Sequence, residues 1–102
     1  MKLNLPDDRI AEFCRKWNVV EFALFGSVLR EDFRPDSDID VLVTFAPGSR
    51  VSLFDFPGMQ DELQEIFGRR VDLLNRRGVE ESDNRFRKKS ILESARVVYA
   101  ES

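Results

Sequence analysis

The sequence predicts an α/β fold, a single domain with a mixed sheet of three to four strands packed with helices. Three observations lead there. Segments with apolar residues at three- and four-residue steps alternate with short runs rich in Val, Leu, Ile and Phe, the order expected of helices and strands in a layered domain. The twelve residues from Gly26 to Ser37 barely suffice for a parallel crossover, so the first two strands are expected to pair antiparallel. With 102 residues and no repeat, linker or low-complexity stretch, the chain reads as one domain over 1–102.

Each element has a local cause. Pro6 followed by Asp7 and Asp8 opens a helix, because proline fits the first turn and acids favour the positive end of the helix dipole. Ile10, Phe13, Cys14 and Trp17 give it one buried stripe to about Asn18. Residues 19–25 are a first strand, broken by Gly26, and Ser27 caps a short helix to about Glu31. After a turn at 34–37, residues 39–45 are a second strand. Ser52 caps the next helix, where Phe56, Met59, Leu63, Ile66 and Phe67 have helical spacing; Pro57 requires a late start near Phe56 or a distorted first turn. Gly68 ends it, residues 71–74 form a third strand, and a last helix within 80–94 precedes a short fourth strand at about 96–100.

Composition excludes several chemistries. The chain has no histidine, which removes Ser-His and Cys-His nucleophilic systems and His-containing zinc sites. Cys14 is the only cysteine and is expected to be a small core residue. A net charge of -3 argues against an extended nucleic-acid surface, so no direct nucleic-acid contact is expected. The apolar runs are far shorter than a membrane span and residues 1–4 have no signal-peptide pattern, so the expected location is cytoplasmic. Arg85, Arg87, Lys88 and Lys89 read as a solvated helix face supported by a Glu81 to Arg85 pair. Phe33, Phe54 and Phe56, near loops and helix ends, are candidates for an exposed patch.

The chemistry concentrates in Gly26-Ser27, ten residues, then Asp38-Ile39-Asp40. Side chains alternate along a strand, so Asp38 and Asp40 share a face. Two carboxylates about 6–7 Å apart repel by roughly 2–3 kcal/mol at an effective dielectric of 20, an arrangement best explained by a cation. Their hard oxygens suit Mg²⁺, which takes one or two protein carboxylates and completes its shell with water and phosphates. Gly26 leaves room for a triphosphate, with backbone amides and the Ser27 hydroxyl as donors. Arg30, one turn beyond Ser27, is placed for the phosphate tail, and Ser37 for orienting carboxylates or phosphates. Asp72 stands between Val71 and Leu73, an acid in an apolar run; it joins the same cluster if the third strand lies beside the second.

These residues, in their context of 24–30 and 35–43, resemble the nucleotidyltransferase superfamily that includes the DNA polymerase beta type enzymes. Within it the sequence is most similar to the minimal nucleotidyltransferases (MNT), the antitoxin halves of HEPN/MNT toxin–antitoxin pairs. Residues 52–55, 68–74 and 95–99 extend the likeness over nearly the whole chain. Arg30 keeps its place in the pattern, whereas Glu31 and Asp32 stand where members commonly have a glycine-containing stretch. The resemblance implies an Mg²⁺-dependent enzyme, with two ions, that moves AMP from ATP to a tyrosine hydroxyl of a cognate HEPN toxin. It implies that Asp38 and Asp40 bind metal, that Asp72 is third ligand and helps deprotonate the acceptor, and that the chain forms a hetero-oligomer with the toxin. Two alternatives stand beside it: a non-catalytic antitoxin acting by binding, and a small-molecule nucleotidyltransferase completed by a partner chain.

Overall fold

A computed structural model describes residues 5–26 and 38–101. The expected helix around Ser27, the turn at 34–37 and Phe33 lie outside the described residues.

Helix α1 (Asp7–Trp17) carries Asp7 and Asp8 in its first turn and Arg15 and Lys16 in its last, the charge order its dipole favours. Asn18, in the left-handed region at φ 59°, ends it by donating its backbone N–H to the Cys14 carbonyl. Ile10, Phe13 and Cys14 are its buried stripe. The strands β1 (Val19–Phe25) and β2 (Ile39–Phe45) begin and end where the apolar runs do.

A 3₁₀ turn at Leu53–Asp55 precedes α2 (Phe56–Phe67), and Pro57 sits in the first turn of the helix. Of the two expected accommodations the late start occurs: the α-helix begins at Phe56, with the 3₁₀ turn before it. Ser52 caps the 3₁₀ turn, its backbone N–H donating to Asp55 Oδ2 at 2.9 Å. Gly68, at φ 70°, ends α2.

Strand β3 (Val71–Asn75) leads directly into a short helix, α3 (Arg76–Glu80), which the sequence reading did not contain. The Asn75 side chain caps α3 by accepting from the Arg77 N–H at 3.0 Å. Helix α4 (Arg85–Ser94) and strand β4 (Arg96–Ala100) complete the described chain. The expected Glu81 to Arg85 helical pair is corrected: α4 begins at Arg85, whereas Glu81 closes α3 and pairs with Arg77 at 3.2 Å.

The sheet has the order β3-β2-β1-β4. β1 pairs antiparallel with both β2 and β4, and β2 pairs parallel with β3. This is the mixed four-stranded sheet that the short 26–37 connection implied. Its register makes one face a set of apolar rows: Leu73, Val41 and Leu24 lie side by side, as do Val43 and Phe22. Helices α1 and α2 cover that face, with Phe13, Met59 and Leu63 among the fully buried residues. The Trp17 indole N–H and the Lys16 ammonium both donate to Glu62 Oε2 at 3.0 Å, tying α1 to α2 across the covering layer.

The opposite face is divided. Ala23, Leu42 and Leu74 form an apolar row beneath Val79 of α3 and Ile91 of α4. On one side of that row Arg76 reaches Glu21 at 2.6 Å, fastening α3 to β1. On the other side, at the starts of β2 and β3, the face turns acidic.

Candidate active site

Asp40 is the register partner of Asp72 on β3 and of Phe25 on β1. The row across the sheet therefore reads Asp72, Asp40, Phe25. Adjacent strands are about 4.8 Å apart and in-register residues point to the same side, so the two acids stand side by side. Asp38 immediately precedes β2, two residues before Asp40. β3 lies beside β2, which places Asp72 next to Asp40. Asp38 and Asp40 are half-buried, while Asp72, on the edge strand, is exposed.

Gly26 joins the two halves of the motif. It sits at φ 73°, a conformation that side chains rarely adopt, and a Cβ built on it would collide with Asp40 Oδ2 and lie 3.3 Å from Asp40 Cγ. The glycine thus suits both this backbone conformation and the close approach of the Asp40 carboxylate, which a side chain here would have to displace. Ser27, Arg30 and Ser37 lie outside the described residues.

The edge strand that carries Asp72 is held by two residues that the sequence reading missed. Gln64 Oε1 accepts from the Val71 N–H and Gln60 Oε1 from the Leu73 N–H, each at 3.3 Å. These are the outward N–H groups on either side of Asp72, which an edge strand otherwise leaves open. The four-residue spacing of Gln60 and Gln64 puts them on one side of α2, a signal present in the sequence but meaningful only once β3 is known to pack there.

The donor set fits a hard divalent cation: carboxylates on one face, two of them in register, with the apolar row beside them. Among the described residues no three acids are already gathered into a metal cage. Mg²⁺ does not demand one, since it binds through one or two carboxylates together with water and substrate phosphates. Cys14, by contrast, is inert. It is fully buried, and burial pushes its thiol up to about 12.

Comparison with known proteins agrees with this geometry. A family model described as "Nucleotidyltransferase domain" matches residues 8–98. "Putative protein adenylyltransferase MJ0435" of Methanocaldococcus jannaschii is 36% identical over 74 residues, covering 72% of this chain and 77% of that protein. A solved structure provisionally described as a minimal nucleotidyltransferase superposes with a TM-score of 0.66 at 31% identity, covering 88% of this chain and 86% of the other. Two more distant structures share the fold. A toxin–antitoxin with AMP-PNP has a TM-score of 0.72 at 17% identity, covering 96% and 76% of the two chains. A tri-AMPylated Shewanella oneidensis HEPN toxin in complex with MNT antitoxin has a TM-score of 0.61 at 16% identity, covering 92% and 69%. Sequence, fold and acid register thus converge on one assignment: the chain belongs to the nucleotidyltransferase domain family, as one of its minimal nucleotidyltransferases.

Proposed function

We propose that this enzyme moves AMP from ATP to a tyrosine hydroxyl on a cognate HEPN toxin, and so acts as the antitoxin of the pair. The observation that carries the reading is the Asp72, Asp40 register with Gly26 backed onto Asp40. The named adenylyltransferase relative supports the reaction type. The complexes with AMP-PNP and with an AMPylated HEPN toxin, which share this fold, support the nucleotide and the acceptor.

In this mechanism Asp38, Asp40 and Asp72 would hold Mg²⁺, as two ions. Bound there, Mg²⁺ supplies charge neutralisation at the α-phosphate and at the departing pyrophosphate. Gly26 keeps the Asp40 carboxylate in place and leaves space beside it, while Ser27 and Arg30 hold the β- and γ-phosphates and Ser37 orients the carboxylates or phosphates. Asp72 takes the proton from the acceptor hydroxyl. The hydroxyl oxygen then bonds to the α-phosphorus, the bond to the bridging oxygen breaks, and pyrophosphate leaves with that electron pair. Positioning and electrostatics carry most of the catalysis.

The whole of 1–102 works as one domain in this reading, in a cytoplasmic hetero-oligomer with the toxin. Among the described residues no helix is long and apolar enough to cross a membrane. Two labelled forms of ATP test the chemistry. Label at the α-phosphate is expected to become covalently attached to the toxin, and label at the γ-phosphate to leave as pyrophosphate. Attachment of the γ-label would identify a kinase instead. Neutralisation with no label attached would identify an antitoxin that acts by binding alone.

A further inference from the structure

One surface is left unexplained by this site. Between the 3₁₀ turn, the edge strand β3 and helices α3 and α4 lies a groove of about 380 Å³, with Leu53, Phe56, Leu74, Val79 and Ile91 among its lining. Large apolar side chains stand exposed around it. Leu53, on its wall, is 80% exposed, and its neighbour Phe54 is 94% exposed. Across the groove Phe86 is 90% exposed, next to Arg87 and Lys88, which also line it. Phe54 and Phe86 do not line the groove but adjoin in sequence Leu53 and Arg87, which do, and exposed aromatics flanking an apolar groove are unusual unless something covers them.

Charge separates this surface from the remainder of the chain. Arg85, Arg87, Lys88 and Lys89 are clustered at the start of α4 in a molecule of net charge -3, and none of the four forms an ion pair among the described residues. Their placement also opposes the helix dipole, which favours acids in a first turn; α1 obeys that preference and α4 reverses it. A basic first turn with an exposed phenylalanine offers the helix nothing by itself. It matches a partner surface that brings both carboxylates and apolar side chains.

Position identifies that partner. Leu74, in the groove, lies on the same face of β3 as Asp72 and only two residues along, a step of about 6–7 Å. An occupant of the groove is therefore brought beside the acids. A second copy of this chain suits the groove poorly, because its only tyrosine, Tyr99, is half-buried and packed against the core. We infer that the groove between the 3₁₀ turn and α4 is the docking surface for the acceptor protein, which binds through an acidic segment with apolar anchors and is thereby aligned with Asp72. This rests on the proposed function for the identity of the acceptor, and it adds where that protein sits and by what chemistry.

The test uses the full chain, the cognate HEPN toxin and two variants, Phe54→Ser/Phe86→Ser and Arg87→Glu/Lys88→Glu, with the melting temperature checked for each. The substituted phenylalanines touch little of the fold, so stability is expected to stay near wild type. Affinity for the toxin, measured without nucleotide, is expected to weaken about tenfold or more in each variant. In the transfer assay KM for the toxin rises while kcat at saturating toxin is kept. Unchanged affinity in both variants overturns the docking surface, as does a wild-type chain that fails to bind the toxin. So does a loss confined to self-association, or to binding of a single-stranded oligonucleotide, while toxin binding persists. If affinity weakens as expected but wild type transfers no AMP, the docking surface stands and the proposed activity falls, so the two failures are distinguishable.

Discussion

The two faces of the sheet are built from the same strands and do opposite things. One face is predominantly apolar and covered by α1 and α2, with Phe22, Val41, Val43, Ile39 and Val71 almost wholly buried. On the other, Val79 of α3 and Ile91 of α4 cluster with Ala23, Leu42 and Phe25, and the row of Phe25 continues into Asp40 and Asp72. Alternation along β2 and β3 produces both outcomes from adjacent residues. Stability is concentrated on the first face. The second carries the carboxylates that the proposed function assigns to holding a cation.

Residues 40 and 41 give the sharpest way to break this comparison. Asp40→Asn is expected to lower AMP transfer by about a thousandfold or more while keeping the fold, since it removes a charge from the half-buried acidic row and leaves the shape of the side chain. Val41→Asp, one residue on and facing the sealed side, is expected to destabilise by about 4 kcal/mol or more, because it buries an unpaired carboxylate. Thermal melts and transfer assays on both variants check the pair. Equal loss of stability in the two would mean that the faces do not divide the labour.

Gly26→Ala has a smaller effect and falls on both properties. The left-handed backbone alone costs about 1 kcal/mol, and the new Cβ displaces the Asp40 carboxylate, so transfer is expected to fall further than stability does. Denaturant titration together with kcat measures the split.

Gln60→Ala/Gln64→Ala sharpens the account of the edge. Losing two hydrogen bonds to the outward N–H groups of β3 is expected to cost about 1–3 kcal/mol. If the glutamines also position Asp72, kcat falls while KM for ATP changes little, and hydrogen exchange at Val71 and Leu73 rises. Exchange unchanged at those two amides would remove the glutamines from the account.

Cys14 gives the smallest effect near neutral pH. With its pKa raised to about 12 from 9.0, the buried thiol stays protonated where the unfolded one ionises. The stability linked to it is complete below pH 9 and declines as pH rises toward 12. A thiol reagent at pH 8 is expected to label it only after denaturant is added; rapid labelling of the native chain would contradict its burial.

Much of this was legible in the sequence, for reasons particular to each element. β1 and β2 were readable to the residue because Gly26 and the loop at 46–49 punctuate dense apolar runs. The antiparallel pairing followed from the length of one connection. Asp72 stood out because a charge inside an apolar run needs a purpose, although its partner across the sheet emerged only with the register. Helix α3 was missed because five residues with Arg76, Arg77 and Glu80 among them carry no apolar period; its cap and its Glu21 contact come from the tertiary structure. The hold of Gln60 and Gln64 on β3 was hidden for the same reason. Of the phenylalanines expected in an exposed patch, Phe54 is exposed but Phe56 packs against the core and the Phe45 ring, whereas Phe86 was hidden within a run read as an ordinary charged helix face.

The most direct test of the central claim is the intact mass of the toxin after incubation with ATP, Mg²⁺ and this chain, set against the Asp38→Ala/Asp40→Ala and Asp72→Asn variants. The account predicts that the toxin gains whole AMP increments with wild type and none with either variant, even though both variants still bind it. Toxin left unmodified by wild type, or modified equally by the variants, would contradict the assignment of catalysis to the acidic face.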